Sequence, residues 1–406
     1  MIAPQTGPSI VLEAPISLTD LGRVRVLRAL AEHDQLSRAE IATRAGLARA
    51  TVASVVFDLL DNGLVREGAA PEPTTARAGR PPQILSLEPE AAFAIGLDIA
   101  HDHVRAILTD VVGTVCWDRA EHMPVDDDPE GALAAAARLI DAAVRETGIS
   151  REKILGLGAG IASPVHKDGR RLHAEGIMPG WVGVRPVDEL ADRTGLAVQI
   201  INDANAGVLA ERRYGAARGC DDVVYVRLSS GIGAGAICDG RMLLGHGGIA
   251  GELGHLIIEP QGAVCRCGNR GCLETIASPQ AIAGLLARSW GRSVGCQDLI
   301  DLLRSGDRGT VRAIEDAGDA VGRALANAVI VLNPELIVVG GEMAAAHDHL
   351  FEPMRRAIAR NTMSSHAESL RIVPSTLGDN AGVRGAAALI LEGAPEALAR
   401  RQGTST

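Results

Sequence analysis

Aromatic residues are scarce: Phe, Trp and Tyr make up only 2% of the 406 residues. With 47% of the chain hydrophobic and 22% charged, wholesale disorder is excluded, and the core must be built from Ala, Val, Leu and Ile. Long apolar runs are also lacking. Asn333, Pro334 and Glu335 interrupt the best candidate, so no helical membrane span is expected. The opening MIAPQTGPSIVLEAP has neither the basic start nor the apolar core of a secretory signal. The expected location is the cytoplasm. Lysine is nearly missing, with only Lys153 and Lys167 among 40 basic residues, a compositional bias rather than a functional sign. No positive excess exists either. A net charge of −10 argues against a chain that coats nucleic acid along its whole length.

That charge is unevenly spread. Residues 18–87 hold nine Arg against eight Asp and Glu, a balance of +1 that leaves −11 for the rest. A nucleic-acid contact would therefore lie at the front. The length predicts two or three folding units. Seven cysteines in a long cytosolic chain do not form a disulfide framework. Three of them, Cys265, Cys267 and Cys272, nevertheless fall within eight positions.

Residues 1–17 read as a loose tail. A first helix places Leu21, Val24, Leu27 and Leu30 on one face. Ser37-Arg38-Ala39-Glu40 is a capping box that opens a short helix, which Gly46 ends. A third helix carries Val52, Val55, Val56, Leu59 and Leu60. Two short strands, Leu64-Val65 and Ile84–Leu87, bracket a Pro- and Arg-containing loop. The pattern is a winged helix-turn-helix over 18–88. A three-helix bundle that binds protein has the same spacing. Two features favour DNA. Arg49, Ala50 and Thr51 open the third helix ahead of its apolar stripe, leaving that turn free to enter a major groove. Arg77 and Arg80, flanked by Gly and Pro, can lie extended in a minor groove.

From residue 89 to 395 the chain reads as α/β. Strands at Ala94–Ile99, Val104–Asp110 and Val115–Arg119 form a β-meander before a long Ala-rich helix over 128–148. Val223–Leu228 opens a second such block. Two blocks imply two lobes around a cleft: one over about 91–205 with a C-terminal helix at 382–393, the other over about 206–375. Residues 396–406 are expected as a tail.

Three motifs carry chemistry. His255, Cys265, Cys267 and Cys272 follow the pattern H-x9-C-x-C-x4-C. One imidazole and three thiolates satisfy tetrahedral Zn²⁺ with no open position, which predicts a structural site. Unrelated, redox-active thiols are the alternative, but a Cys265–Cys267 disulfide would be strained and the compartment is reducing. Asn202-Asp203 stands between a buried strand and a helix, at the sheet edge that faces a cleft. There Asp203 could accept a proton from a hydroxyl, although on position alone a helix cap is the stronger reading. The glycine loop Ser229–Gly235, with Gly231, Gly233 and Gly235, could wrap N–H groups around a phosphate.

Asn202-Asp203-Ala204-Asn205, the 229–235 loop, Glu252-Leu253-Gly254-His255, Cys265 through Glu274, and Asn333-Pro334-Glu335 with Gly340-Gly341 occur in that order. Together they resemble the ROK family of repressors, open reading frames and sugar kinases, over residues 91–395. The front module resembles the winged helix of its repressor branch. The resemblance implies a two-lobed, actin-like ATPase (RNase H-like) fold behind an all-α winged helix-turn-helix. It implies that Asn202, Asp203, Glu252, His255 and Glu274 contact sugar hydroxyls, with Asp203 the base in kinases. His255 would then serve both metal and sugar. Homodimers or homotetramers are implied as well.

Two departures bear on activity. Kinases of the family carry Asp-x-Gly-Gly-Thr-Lys on the first hairpin, where this chain reads Asp98-Ile99-Ala100-His101-Asp102-His103. Asp98, Gly231, Gly233, Gly235, Gly340 and Gly341 would then be a vestigial nucleotide loop. Ile177 stands where the kinases place a sugar-binding Asn. The expected function is a sequence-specific transcriptional regulator, a repressor, that takes operator DNA and a carbohydrate effector. An ATP-dependent sugar kinase using Mg-ATP is the alternative.

Overall fold

A computed structural model of the chain describes residues 18–69 and 83–401. The front module comprises α1 (Leu18–His33), β1 (Leu36–Ser37), α2 (Arg38–Ala45), α3 (Arg49–Asp61), β2 (Val65–Ala69) and β3 (Gln83–Leu87). Ser37 and Glu40 form the reciprocal capping box that the sequence predicts, and Gly46 ends α2 in the left-handed region at φ 61°. The strands pair antiparallel in the order β1-β3-β2. Val52, Val56 and Leu59 of α3 are fully buried. Arg77 and Arg80 lie outside the described residues.

The first lobe follows with β4 (Phe93–Ile99), β5 (His103–Asp110), β6 (Val115–His122), α4 (Pro129–Thr147), β7 (Ile154–Ile161), α5 (Pro186–Thr194), β8 (Val198–Asn202) and α6 (Asp203–Tyr214). The second comprises β9 (Val223–Leu228), β10 (Ile232–Cys238), β11 (Arg241–Met242), α7 (Glu274–Ala277), α8 (Pro279–Trp290), α9 (Cys296–Arg304), α10 (Arg308–Leu332), β12 (Leu336–Gly340), α11 (Asp348–Asn361), α12 (Ser364–Ser369) and β13 (Arg371–Pro374). Helices α13 (Ala381–Leu391) and α14 (Ala394–Ala399) close the chain.

The two sheets share a plan: β6-β5-β4-β7-β8 and β11-β10-β9-β12-β13. In each, antiparallel strands occupy one side and parallel strands the other. Helices α6 and α13 pack on each other between the lobes, α6 against β9 and β10, α13 against β4 and β7. Small residues permit that approach. A Cβ at Gly385 of α13 would meet the Ala206 carbonyl of α6 at 1.7 Å, and one at Gly158 of β7 would meet the Ala386 carbonyl at 1.9 Å.

The C-terminal segment differs from expectation. Residues 394–399, most of which the sequence leaves as a tail, form α14, with Leu398 and Ala399 fully buried. Helix α14 packs on α1, and the two share one core with Leu391 and Ala92. So short a helix has no stability of its own and takes it from that packing, which local pattern does not reveal. Arg28 of α1 pairs with Glu396 of α14. Helices α5, α9 and α12 and strand β13 are further elements the sequence leaves unassigned.

Candidate functional site

Strand β8 ends at Asn202, whose side-chain oxygen accepts the N–H groups of Ala204 (3.0 Å) and Asn205 (3.2 Å). Asn202 is therefore the cap of α6. Asp203 stands one position later, at the mouth of the cleft between the lobes, so the capping role that position alone favours belongs to its neighbour. The Asp203 carboxylate accepts a charged hydrogen bond from Arg227 of β9. The same guanidinium lies 3.9 Å from Asp98 of β4. Burial works against the Arg227 charge, but Asp203 and Asp98 more than offset it and hold it protonated. Asp98 is itself raised above the ordinary carboxylate range, chiefly by burial, with Arg227 and His103 opposing. One arginine of the second lobe thus ties together two carboxylates of the first.

The cleft between the lobes is open to solvent. Asn202, Asp203, Glu252, His255 and Glu274 all line it. All five residues assigned to sugar are brought together, although they span over seventy positions of sequence. Glu252 precedes a short 3-10 turn, Leu253–His255. Its carboxyl is pushed up to about 7 by burial and then by the charges of Asp203 and Glu274, with Arg266 opposing. Glu274, at the start of α7, accepts from Arg266 Nε (2.9 Å) and from the Ile232 N–H (3.1 Å). Ile177 and His101 also face the cleft.

Behind this wall, ligand atoms of His255, Cys265, Cys267 and Cys272 lie within 4.8 Å of one another. Cys265 Sγ is 3.6 Å from His255 Nδ1, and Cys267 Sγ is 3.7 Å from Cys272 Sγ. Ligands at zinc bond lengths on a tetrahedron stand about 3.5–3.8 Å apart, so the cluster fits a four-coordinate ion. His255 aims Nδ1 at the thiols, while its Nε2 lies 3.9 Å from Glu252 at the cleft. One ring thereby joins the cluster to the cleft.

The glycines divide. Gly231 and Gly233 line the cleft, whereas Gly235 lies within β10, where a Cβ would meet the Ala204 carbonyl at 2.6 Å. Gly340 and Gly341 end β12 against Tyr225 and Leu228 and do not line the cleft. These three are explained by close packing, which spacing alone cannot separate from phosphate binding. In the front module Arg49, Ala50 and Thr51 are exposed at the uncapped start of α3.

Two residues escape motif reasoning. Arg227 is a lone charge inside the apolar run Val-Val-Tyr-Val-Arg-Leu, and a charge in a buried strand demands a buried counter-ion. That signal was readable, but its partners were not. Arg266, between two cysteines, has no sequence sign of its grip on Glu274.

The IclR helix-turn-helix domain family matches residues 24–68, and the ROK family matches residues 94–393. The xylose repressor of Bacillus subtilis (strain 168) is 28% identical over 367 residues, 90% of this chain and 94% of that protein. The glucokinase of Thermotoga maritima is 37% identical over 249 residues, 57% of this chain and 78% of that protein. The crystal structure of a ROK family transcriptional regulator, a homolog of the E. coli MLC protein, superposes with a TM-score of 0.76 at 27% identity, over 94% of this chain and 98% of that one. Its likeness extends across both the front module and the two actin-like lobes. With the family match spanning most of its length, the chain belongs to the ROK family and carries an IclR-type helix-turn-helix at its front.

Proposed function

We propose that the chain is a sequence-specific DNA-binding repressor whose two-lobed body senses a sugar or sugar phosphate in the cytoplasm, with phosphoryl transfer impaired or absent. The observation that carries this reading is the shared core of the front module, α13 and α14. Helix α13 begins beside the cleft, where Gly382 neighbours Asp98, and its last residues, Ile390 and Leu391, enter that core. A change in lobe closure on sugar binding moves α13 and, through α14, the helix pair that meets DNA. Ligand and DNA affinity are then coupled reciprocally.

Asn202, Asp203, Glu252, His255 and Glu274 grip sugar hydroxyls. Zn²⁺ held by His255, Cys265, Cys267 and Cys272 supplies rigidity rather than reactivity, since four protein ligands leave no open position. Arg49, Ala50 and Thr51 read operator bases, and Arg77 and Arg80 of the wing follow the adjacent minor groove. One such helix reads too few base pairs for a genomic address, so the active form is a homodimer or homotetramer.

The second reading is an ATP-dependent sugar kinase. It is favoured by Asp203 standing at the cleft among the four other hydroxyl-binding residues. Three features oppose it. The Asp203 carboxylate is engaged by Arg227 instead of standing free for a substrate hydroxyl. Ala100, His101 and Asp102 replace close backbone approach with Cβ atoms and a negative charge, where a lost oxyanion donor removes roughly 10²–10³ in rate. Ile177 puts an apolar side chain at the cleft. Asp98, Gly231 and Gly233 are then remnants of a nucleotide loop, while Gly235, Gly340 and Gly341 are accounted for by close packing. A coupled assay with Mg-ATP and glucose, xylose, N-acetylglucosamine or N-acetylmannosamine separates the readings. The expected result is little or no sugar phosphate, and turnover above roughly 1 s⁻¹ on any of them would establish the kinase.

A further inference from the structure

The hairpin that departs from the kinase pattern is not merely emptied of glycine; it has gained a different set of donors. We infer that Asp102, His103 and His122 form a second metal site, for a divalent cation of the zinc and nickel class, on the outer edge of the first lobe. This inference stands apart from the sugar-sensing reading and from the His255 cluster.

Three observations carry it. First, one ligand atom from each residue lies within 4.8 Å of the other two. The spacing is fixed by the sheet rather than by loose side chains. His103 of β5 and His122 of β6 are direct cross-strand partners, with ring centroids 5.8 Å apart. The turn carrying Asp102 is pinned too: its carbonyl accepts from Met123 N (3.0 Å), the His101 carbonyl accepts from Val125 N (3.1 Å), and Ala100 N donates to the His103 carbonyl (3.1 Å). Second, two imidazoles and one carboxylate are the donors that borderline first-row cations prefer. Third, a buried carboxylate backs the ring. Asp102 approaches Nδ1 of His103 at 2.7 Å, while Nε2 of the same ring faces Asp98 at 3.9 Å. Asp98 Oδ1 is buried without a hydrogen-bond partner. With an ion on Nδ1, the Nε2–H faces the Asp98 carboxylate at 3.9 Å, a gap that has to close by about 1 Å before the ring is held by the hydrogen bond that orients metal-bound histidines in general. Three protein ligands leave the remaining positions to water, because β6 is the sheet edge and Asp102 and His122 are exposed.

A cation here would sit at the end of an alternating row, metal, His103, Asp98, Arg227, Asp203, that runs from the surface to the cleft. The same hairpin would thus hold a positive ion where a kinase of this fold holds phosphates.

Full-length protein, with its cysteine cluster loaded as purified, is titrated with Zn²⁺ alone in equilibrium dialysis. The wild type is expected to take up a second equivalent, and His122→Gln and Asp102→Asn are expected to lose it while keeping the first. Co²⁺ added at this second site should show the weak visible bands of nitrogen and oxygen ligation without thiolate charge transfer. His166→Gln serves as control, because His166 and His173 form another histidine pair, with centroids 5.3 Å apart; it should leave uptake unchanged. Uptake of one equivalent only by wild type, retention of the second equivalent in His122→Gln, or its loss in His166→Gln would each overturn the inference.

Discussion

The two walls of the cleft have been treated differently. On the second lobe Glu252, His255 and Glu274 line the cleft, braced from behind by the cysteine cluster and by Arg266 on Glu274. On the first lobe the hairpin reads Ala100-His101-Asp102-His103, and Asp98 behind it lies 3.9 Å from Arg227. On the reading proposed above, the wall that would grip a sugar keeps three of its polar residues while the wall that would transfer phosphate has lost its glycines. That reading makes recognition and phosphoryl transfer separable properties of one cleft.

The sharpest way to break that comparison is to remove the brace. Cys272→Ser should abolish the tightly bound metal, loosen the 252–274 segment and raise the sugar dissociation constant beyond detection, since metal binding and local folding are coupled. Elemental analysis and calorimetry check it, and full sugar affinity without metal would unlink the two. The next largest effect belongs to the other wall. Arg227→Leu leaves Asp98 and Asp203 facing each other without a cation, a loss of about 3–5 kcal/mol that urea unfolding reads directly. Wild-type stability would mean that the arginine is not the tie between the lobes. The smallest lies outside the cleft. Arg49→Ala should weaken operator binding by about 1–3 kcal/mol, equally with and without sugar, in gel-shift titrations. An effect that depends on sugar would instead place Arg49 in the coupling.

Much of this was legible in the sequence because it rests on local rules. The capping box at Ser37 and Glu40 and the apolar stripe of α3 each follow from spacing within a few residues, and the buried strand β4 from a short apolar run. The cysteine cluster was legible from donor chemistry. What escaped were effects of tertiary contact. The pairing of Arg227 with Asp203 joins α6 to β9, and no periodicity reports it. Gly235 and Gly340 look like phosphate-loop residues in sequence, and their close approach to Ala204 and Tyr225 is visible only in the fold. Helix α14 exists because α1 covers it, so the segment looked like a tail.

The central claim is that a sugar in the cleft alters DNA binding with no phosphoryl transfer in between. Its most direct test is an operator fragment, recovered from the source genome by affinity selection, titrated by anisotropy with and without each sugar and with no ATP present. The account predicts that at least one sugar shifts operator affinity by about 5–150-fold, the usual range of coupling between two sites. A sugar that calorimetry shows to be bound, yet that leaves the operator affinity unchanged, would contradict it.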